Sequence, residues 1–126
     1  MAYETVQVRK LTGGCGAEVL GVDVKAMSNR QWDEVQAAFT EHGVIFFRDQ
    51  DLGPDEFLAF ASRIGEPVEY PFVRGIDGYP EIIAVTKLAH ETVNFGGIWH
   101  SDTTYLPRPP MGTMLIAREV PPAGGD

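Results

Sequence analysis

Between Ser28 and Gly43 the sequence spells one complete amphipathic helix, and that element constrains the rest of the chain. Ser28 stands where a side chain accepts from unpaired first-turn amides, and Gln31 follows at the spacing of a capping box. Trp32, Val35, Ala38 and Phe39 recur every three or four residues as one apolar stripe, and Gly43 is the stop. Such a stripe has to be covered, and the flanks offer strands. Val6 and Val8 alternate with polar residues, while Leu20, Val22 and Val24 repeat at strand spacing across Gly21 and Asp23. Val44-Ile45-Phe46-Phe47 reads as a short buried strand, with Phe46 and Phe47 in the core. The cluster Thr12-Gly13-Gly14-Cys15-Gly16 lacks dinucleotide-fingerprint spacing and reads as a turn.

Gly53-Pro54 followed by Asp55 and Glu56 predicts a second helix start, since proline suits the first turn and acids favour its positive end. Phe57, Leu58, Phe60, Ala61 and Ile64 are its expected buried face, and Gly65 ends it. After Pro67 the pattern changes. Glycine and proline punctuate residues 65–80, and short strands are expected at Ile82 to Val85, around Trp99, and at Thr113 to Ala117. The order predicts an α+β fold, with helices on one side of a mostly antiparallel assembly.

Composition removes several function classes. A net charge of −8 with a sequence pI near 4.7 leaves no clustered positive surface, so nucleic acid is not an expected partner. The single Cys15 makes no internal disulfide and no zinc ribbon, which favours a reducing compartment. The run Val44 to Phe47 is far short of a membrane span, and Met1 to Val6 carries no cationic stretch before an apolar one. A cytoplasmic location away from membranes is expected.

His100 and Asp102 carry the chemistry. Two residues apart in an extended segment, their side chains share a face, and an imidazole with a carboxylate supplies two of the three ligands of an iron(II) facial triad. The same spacing also fits a surface histidine with a nearby carboxylate, and spacing alone leaves both readings open.

The surroundings of the pair resemble a known family. Trp99-His100-Ser101-Asp102-Thr103-Thr104-Tyr105, preceded by Asn94-Phe95-Gly96-Gly97, resembles the iron-binding segment of the taurine dioxygenase (TauD/TfdA) group of 2-oxoglutarate-dependent oxygenases. Gly43 to Gln50, with its trailing Arg48-Asp49-Gln50, is similar to the family's early strand. Phe60 to Gly65 with Glu66-Pro67 is similar to its second helix. Pro109-Pro110, Met114 to Arg118 and Pro121 to Asp126 are similar to the stretch after its first ligands. The likeness runs in order along nearly the whole chain.

That resemblance implies His100 and Asp102 as ligands of Fe(2+), with 2-oxoglutarate as co-substrate, O2 as oxidant and hydroxylation of a small, anionic organic substrate as the reaction. It implies a double-stranded β-helix, or jelly roll, to which residues 1–126 supply the N-terminal helices and first strands of a single domain. The family's second histidine, its co-substrate arginine and the threonine after Gly-Gly-Asp lie further downstream, and neither His42 nor His90 occupies a matching position. The chain is therefore expected to be an N-terminal fragment, inactive alone, whose unpaired strand edges favour association into a homo-oligomer. The alternative is a non-catalytic binding or assembly module built on the same half-fold. Tyr70, Asn94, Phe95 and Thr103 are the pocket candidates, each with a packing, capping or turn role as its bland reading. Tyr70 stands where taurine-cleaving members have a sulfonate-contacting histidine, and Ile98 where they have an asparagine, so taurine is not the expected substrate. Arg74 and Arg108 are candidates for an anion but are expected to be simply exposed.

Overall fold

The computed structural model describes residues 2–124. The Gly125 and Asp126 end of the expected terminal turn lies outside them. The chain forms two compact units that divide after Phe60.

The first unit begins with an antiparallel hairpin of β1 (Gln7–Lys10) and β2 (Ala17–Leu20), with Gln7 opposite Leu20 and Lys10 opposite Ala17. The glycine cluster is the turn, as its sequence predicts: the Leu11 amide donates to the Gly16 carbonyl at 3.1 Å, and Thr12 Oγ1 accepts from the Cys15 amide at 3.2 Å. Gly16 sits at φ 94, a conformation glycine tolerates without a Cβ clash. The chain then runs through a single 3-10 turn, Val24–Ala26, into the helix α1 (Asn29–His42) and back along β3 (Ile45–Phe46). β3 pairs parallel with β2, Ala17 beside Ile45, giving the order β1-β2-β3. The small sheet is therefore mixed, where the sequence pattern suggests mostly antiparallel pairing, because a helical crossover returns the chain in the same direction.

α1 is built as its sequence predicts. Ser28 Oγ accepts from the Gln31 amide at 3.1 Å, and Gln31 Oε1 accepts from the Ser28 amide at 3.0 Å, closing the capping box. At the far end Gly43, at φ 72, donates to the Phe39 carbonyl at 2.8 Å. Trp32, Val35 and Ala38 are buried, Phe39 half so, and the helix lies against β2 and β3. α2 (Pro54–Ile64) opens with the Gly53 amide donating to Glu56 Oε2 at 2.6 Å. Of its expected apolar face only Phe60 is buried. Phe57, Leu58 and Ala61 are half-buried and Ile64 is exposed. The Phe60 ring meets Trp32 edge-on at 5.7 Å and Phe47 at 6.0 Å, the T-shaped geometry aromatic quadrupoles favour.

Two expectations in this unit are corrected. Phe46 and Phe47 are half-buried rather than core, since β3 is a two-residue edge strand with one covered side. The strand spacing of Leu20, Val22 and Val24 does not extend β2, because Gly21 turns the chain at φ 77. The loop's backbone groups go to Gln50 instead: its Oε1 accepts from the Val24 amide at 2.9 Å, and its Nε2 donates to the Val22 carbonyl at 3.1 Å.

In the second unit the described residues form no strand at 82–85, around Trp99, or at 113–117, contrary to the sequence pattern. Alternating apolar residues make a strand only when another strand takes up their amides and carbonyls. Here the backbone bonds are those of turns: Ile76 donates to Ile82 at 2.8 Å and Tyr79 to Ile76 at 3.0 Å. Gly75 is required in that turn, since a Cβ there would lie 2.5 Å from the Pro80 backbone. Every buried apolar residue among those described lies at or before Phe60, whereas Ile98, Trp99 and Leu115 stand open to solvent. The fold described is thus a small α+β arrangement whose core is confined to the first unit.

Candidate metal site

The His100 segment is held between two tight turns. Before it, the Gly97 amide donates to the Asn94 carbonyl at 3.2 Å, and after it the Leu106 amide donates to the Thr103 carbonyl at 3.2 Å. Gly96, at φ 70, lies under the imidazole: a Cβ on it would come 3.3 Å from His100 Cε1. A side chain at that position would push the ring aside.

Between the turns the two side chains meet. His100 Nε2 is 3.0 Å from Asp102 Oδ1, although this stretch is not part of a sheet. His100 Nδ1 lies 2.6 Å from the Ile98 carbonyl, which can only accept, so Nδ1 carries the proton. Nε2 and the carboxylate oxygen are then two acceptors that need a cation between them, a proton or a metal. The hydrogen bond to the Ile98 carbonyl raises the His100 pKa; desolvation opposes it, and the charge and hydrogen bond of Asp102 add to the rise. On its other side Asp102 Oδ2 accepts from Thr113 Oγ1 at 3.0 Å.

This donor pair fits an octahedral metal. Adjacent ligands on bonds of about 2.1 Å are separated by about 3 Å, the spacing observed, and one nitrogen with one carboxylate oxygen suits iron(II). A backbone carbonyl fixing the histidine tautomer is the usual support for such a ligand. Both side chains are open, at 48% and 55% exposure, and among the described residues no third His, Cys, Asp or Glu completes a cluster with them. His42 is buried at the end of α1, 3.8 Å from Glu41, and His90 sits exposed in a loop.

The pocket candidates divide. Asn94 and Phe95 line an open concavity of about 610 Å³ together with Val85, Lys87, Glu91, Val93 and Gly96. Gly96 links that hollow to the His100 ring. Tyr70 and Thr103 are not part of its lining: Tyr70 packs edge-on against Phe72 at 5.7 Å, and Phe72 in turn lies 6.0 Å from Tyr105. Thr103 holds the turn after Asp102 at φ 45. Arg74 and Arg108 are exposed. Two features were beyond the reach of spacing rules, the Ile98 carbonyl on His100 and the Thr113 hydroxyl on Asp102. The second comes from eleven residues downstream, where the pattern suggests only a strand.

The sequence model of the taurine catabolism dioxygenase TauD, TfdA family matches residues 7–126. The chain belongs to that family. It is 34% identical to an alkylsulfatase of Acinetobacter baylyi over 98% of this chain and 38% of the relative. It is 32% identical to an alpha-ketoglutarate-dependent sulfate ester dioxygenase of Pseudomonas putida over 96% of this chain and 40% of the relative. This TauD/TfdA chain therefore spans about two fifths of the length of these curated relatives. A crystal structure of a taurine dioxygenase from Burkholderia xenovorans superposes with a TM-score of 0.57 at 32% identity, covering 61% of this chain and 28% of that one. Among the described residues of this family member, no helix is long and apolar enough to cross a membrane.

Proposed function

We propose that the protein is an iron(II)/2-oxoglutarate-dependent dioxygenase that hydroxylates a small anionic organic substrate, with His100 and Asp102 as two of its three protein ligands to iron. The observation that carries this reading is the 3.0 Å approach of His100 Nε2 to Asp102 Oδ1, with Nδ1 already committed to the Ile98 carbonyl. Oxidative decarboxylation of 2-oxoglutarate at the metal would supply the oxidant. The chain's own part is to present one imidazole nitrogen and one carboxylate oxygen on adjacent positions and to leave the other positions free. In this proposal Asn94 and Phe95 meet the substrate as it approaches past Gly96, and Tyr70 and Thr103, which lie outside the lining of that hollow, meet another part of it. The relative named a sulfate ester dioxygenase, beside the alkylsulfatase, favours a sulfate ester as substrate.

In the same reading residues 1–126 form the N-terminal part of a single jelly-roll domain, in the cytoplasm, and the third ligand comes from elsewhere in the protein. By themselves these residues would then hold iron weakly and not turn over 2-oxoglutarate. The test is succinate formation by the complete protein supplied with iron(II), 2-oxoglutarate, oxygen and a sulfate ester. His100→Ala and Asp102→Ala should each abolish it while circular dichroism stays unchanged. Wild-type turnover by either variant at limiting iron would refute the assignment, and a complete protein without any turnover would point to a non-catalytic module.

A further inference from the structure

We infer that Thr113 is a positioning residue for Asp102, holding the carboxylate so that one oxygen alone is offered to the metal. The inference rests on the reading of His100 and Asp102 as ligands and adds a residue that the ligand spacing does not indicate.

The two carboxylate oxygens have separate partners. Oδ1 faces His100 Nε2 at 3.0 Å, and Oδ2 accepts from Thr113 Oγ1 at 3.0 Å. An aspartate on an open loop rotates broadly about its terminal torsion, so without a second partner either oxygen, or both, can turn toward a cation. A carboxylate that chelates through both oxygens takes up a coordination position that a two-histidine, one-carboxylate site keeps open. A hydroxyl donating to Oδ2 removes that freedom and lowers the donor strength of the oxygen it binds. Threonine suits the task because its branched Cβ leaves the hydroxyl few rotamers. The bond also ties the segment starting at Thr113 to the turn at Thr103, so the ligand's orientation depends on chain eleven residues away.

Manganese(II) titration of the complete protein, followed by loss of the free-ion EPR signal, reads the effect without turnover. Thr113→Val keeps the shape and deletes the donor, and should weaken manganese binding about tenfold, the low end for an outer partner of a metal ligand. Thr113→Ser restores the hydroxyl and should return the affinity to within about twofold of the starting chain. Asp102→Ala should bind no better than Thr113→Val. Equal or tighter binding by Thr113→Val, or a serine variant as weak as the valine one, overturns the role of Thr113 while leaving the ligands in place. Unchanged binding by Asp102→Ala overturns the ligand reading, and the inference falls with it.

Discussion

Arg48 reaches from the end of β3 to the buried carboxylate of Glu18 in β2, with Nε 3.0 Å from Oε1. Arg9 in β1 binds the other oxygen of the same carboxylate, so all three strands meet at one acid that is 3% exposed. The Arg48 guanidinium also lies over the Phe46 ring, 5.1 Å from its centroid. A carboxylate buried in the central strand is compensated by the two cations that lie on it while their stems reach solvent. The Arg-Asp-Gln stretch after β3 thus acts in the fold: Arg48 neutralises Glu18, and Gln50 closes the loop at Val22 and Val24.

Removing that cation should be costly, but less so than for a fully buried pair, since the Arg48 side chain is 67% exposed and water screens it. Arg48→Ala is expected to lower unfolding free energy by about 1–2 kcal/mol. Arg48→Lys should recover part of that loss. Urea melts of both variants give the numbers, and an alanine variant as stable as the parent would refute the account.

Glu34 anchors the start of the chain. Its carboxylate, buried on α1, accepts from the amides of Glu4, Thr5 and Val6 at 3.0–3.2 Å. Burial pushes the Glu34 pKa up, but the three amides outweigh it and bring the value from 4.5 down to about 2. A carboxyl depressed in the folded state stabilises fully above its unfolded value and loses that contribution as pH falls through the folded one. The Glu34 share should therefore be complete above about pH 4.5 and vanish toward pH 2. Glu34→Gln should be less stable at neutral pH and show a flatter acid-unfolding profile across that window. Parallel profiles for the two proteins would contradict the sign.

The ends of α1 should behave as local elements. Ser28→Ala is expected to cost about 1 kcal/mol, because the Gln31 amide loses its acceptor. Gly43→Ala should cost about 1 kcal/mol, since φ 72 is strained for a residue with a Cβ. Thermal melts of the two single variants and the double variant should give additive shifts, the ends being far apart.

On the proposed function, taurine should be a poor substrate of the complete protein. In the proposed pocket Tyr70 packs on Phe72 and supplies no cation for a sulfonate. Loss of one charge-assisted bond weakens recognition about ten- to a hundredfold, so kcat/KM for taurine should fall at least about tenfold below that for the best sulfate ester. A higher value for taurine would remove Tyr70 from the substrate site.

What the sequence determined by itself lies within a few residues of each signal. The capping box of Ser28 and Gln31, the stop at Gly43, the start of α2 at Pro54 and the glycine turn before β2 all appear as their spacing predicts. The His100 and Asp102 side chains also meet, as a separation of two residues allows. These features depend on backbone groups one helical turn or one β-turn apart, and spacing specifies such partners. Tertiary structure decided everything whose partner lies far along the chain. The amides that bind Glu34 and the Arg48 guanidinium that binds Glu18 come from 28 to 30 residues away, a distance at which no residue type announces the other. β3 pairs parallel only because α1 carries the chain back beside β2. The apolar patterns at 82–85 and 113–117 show the same limit from the other side. Alternation gives a segment two faces, but only a neighbouring strand that takes its amides and carbonyls makes it a strand, and that neighbour is not written in the segment itself.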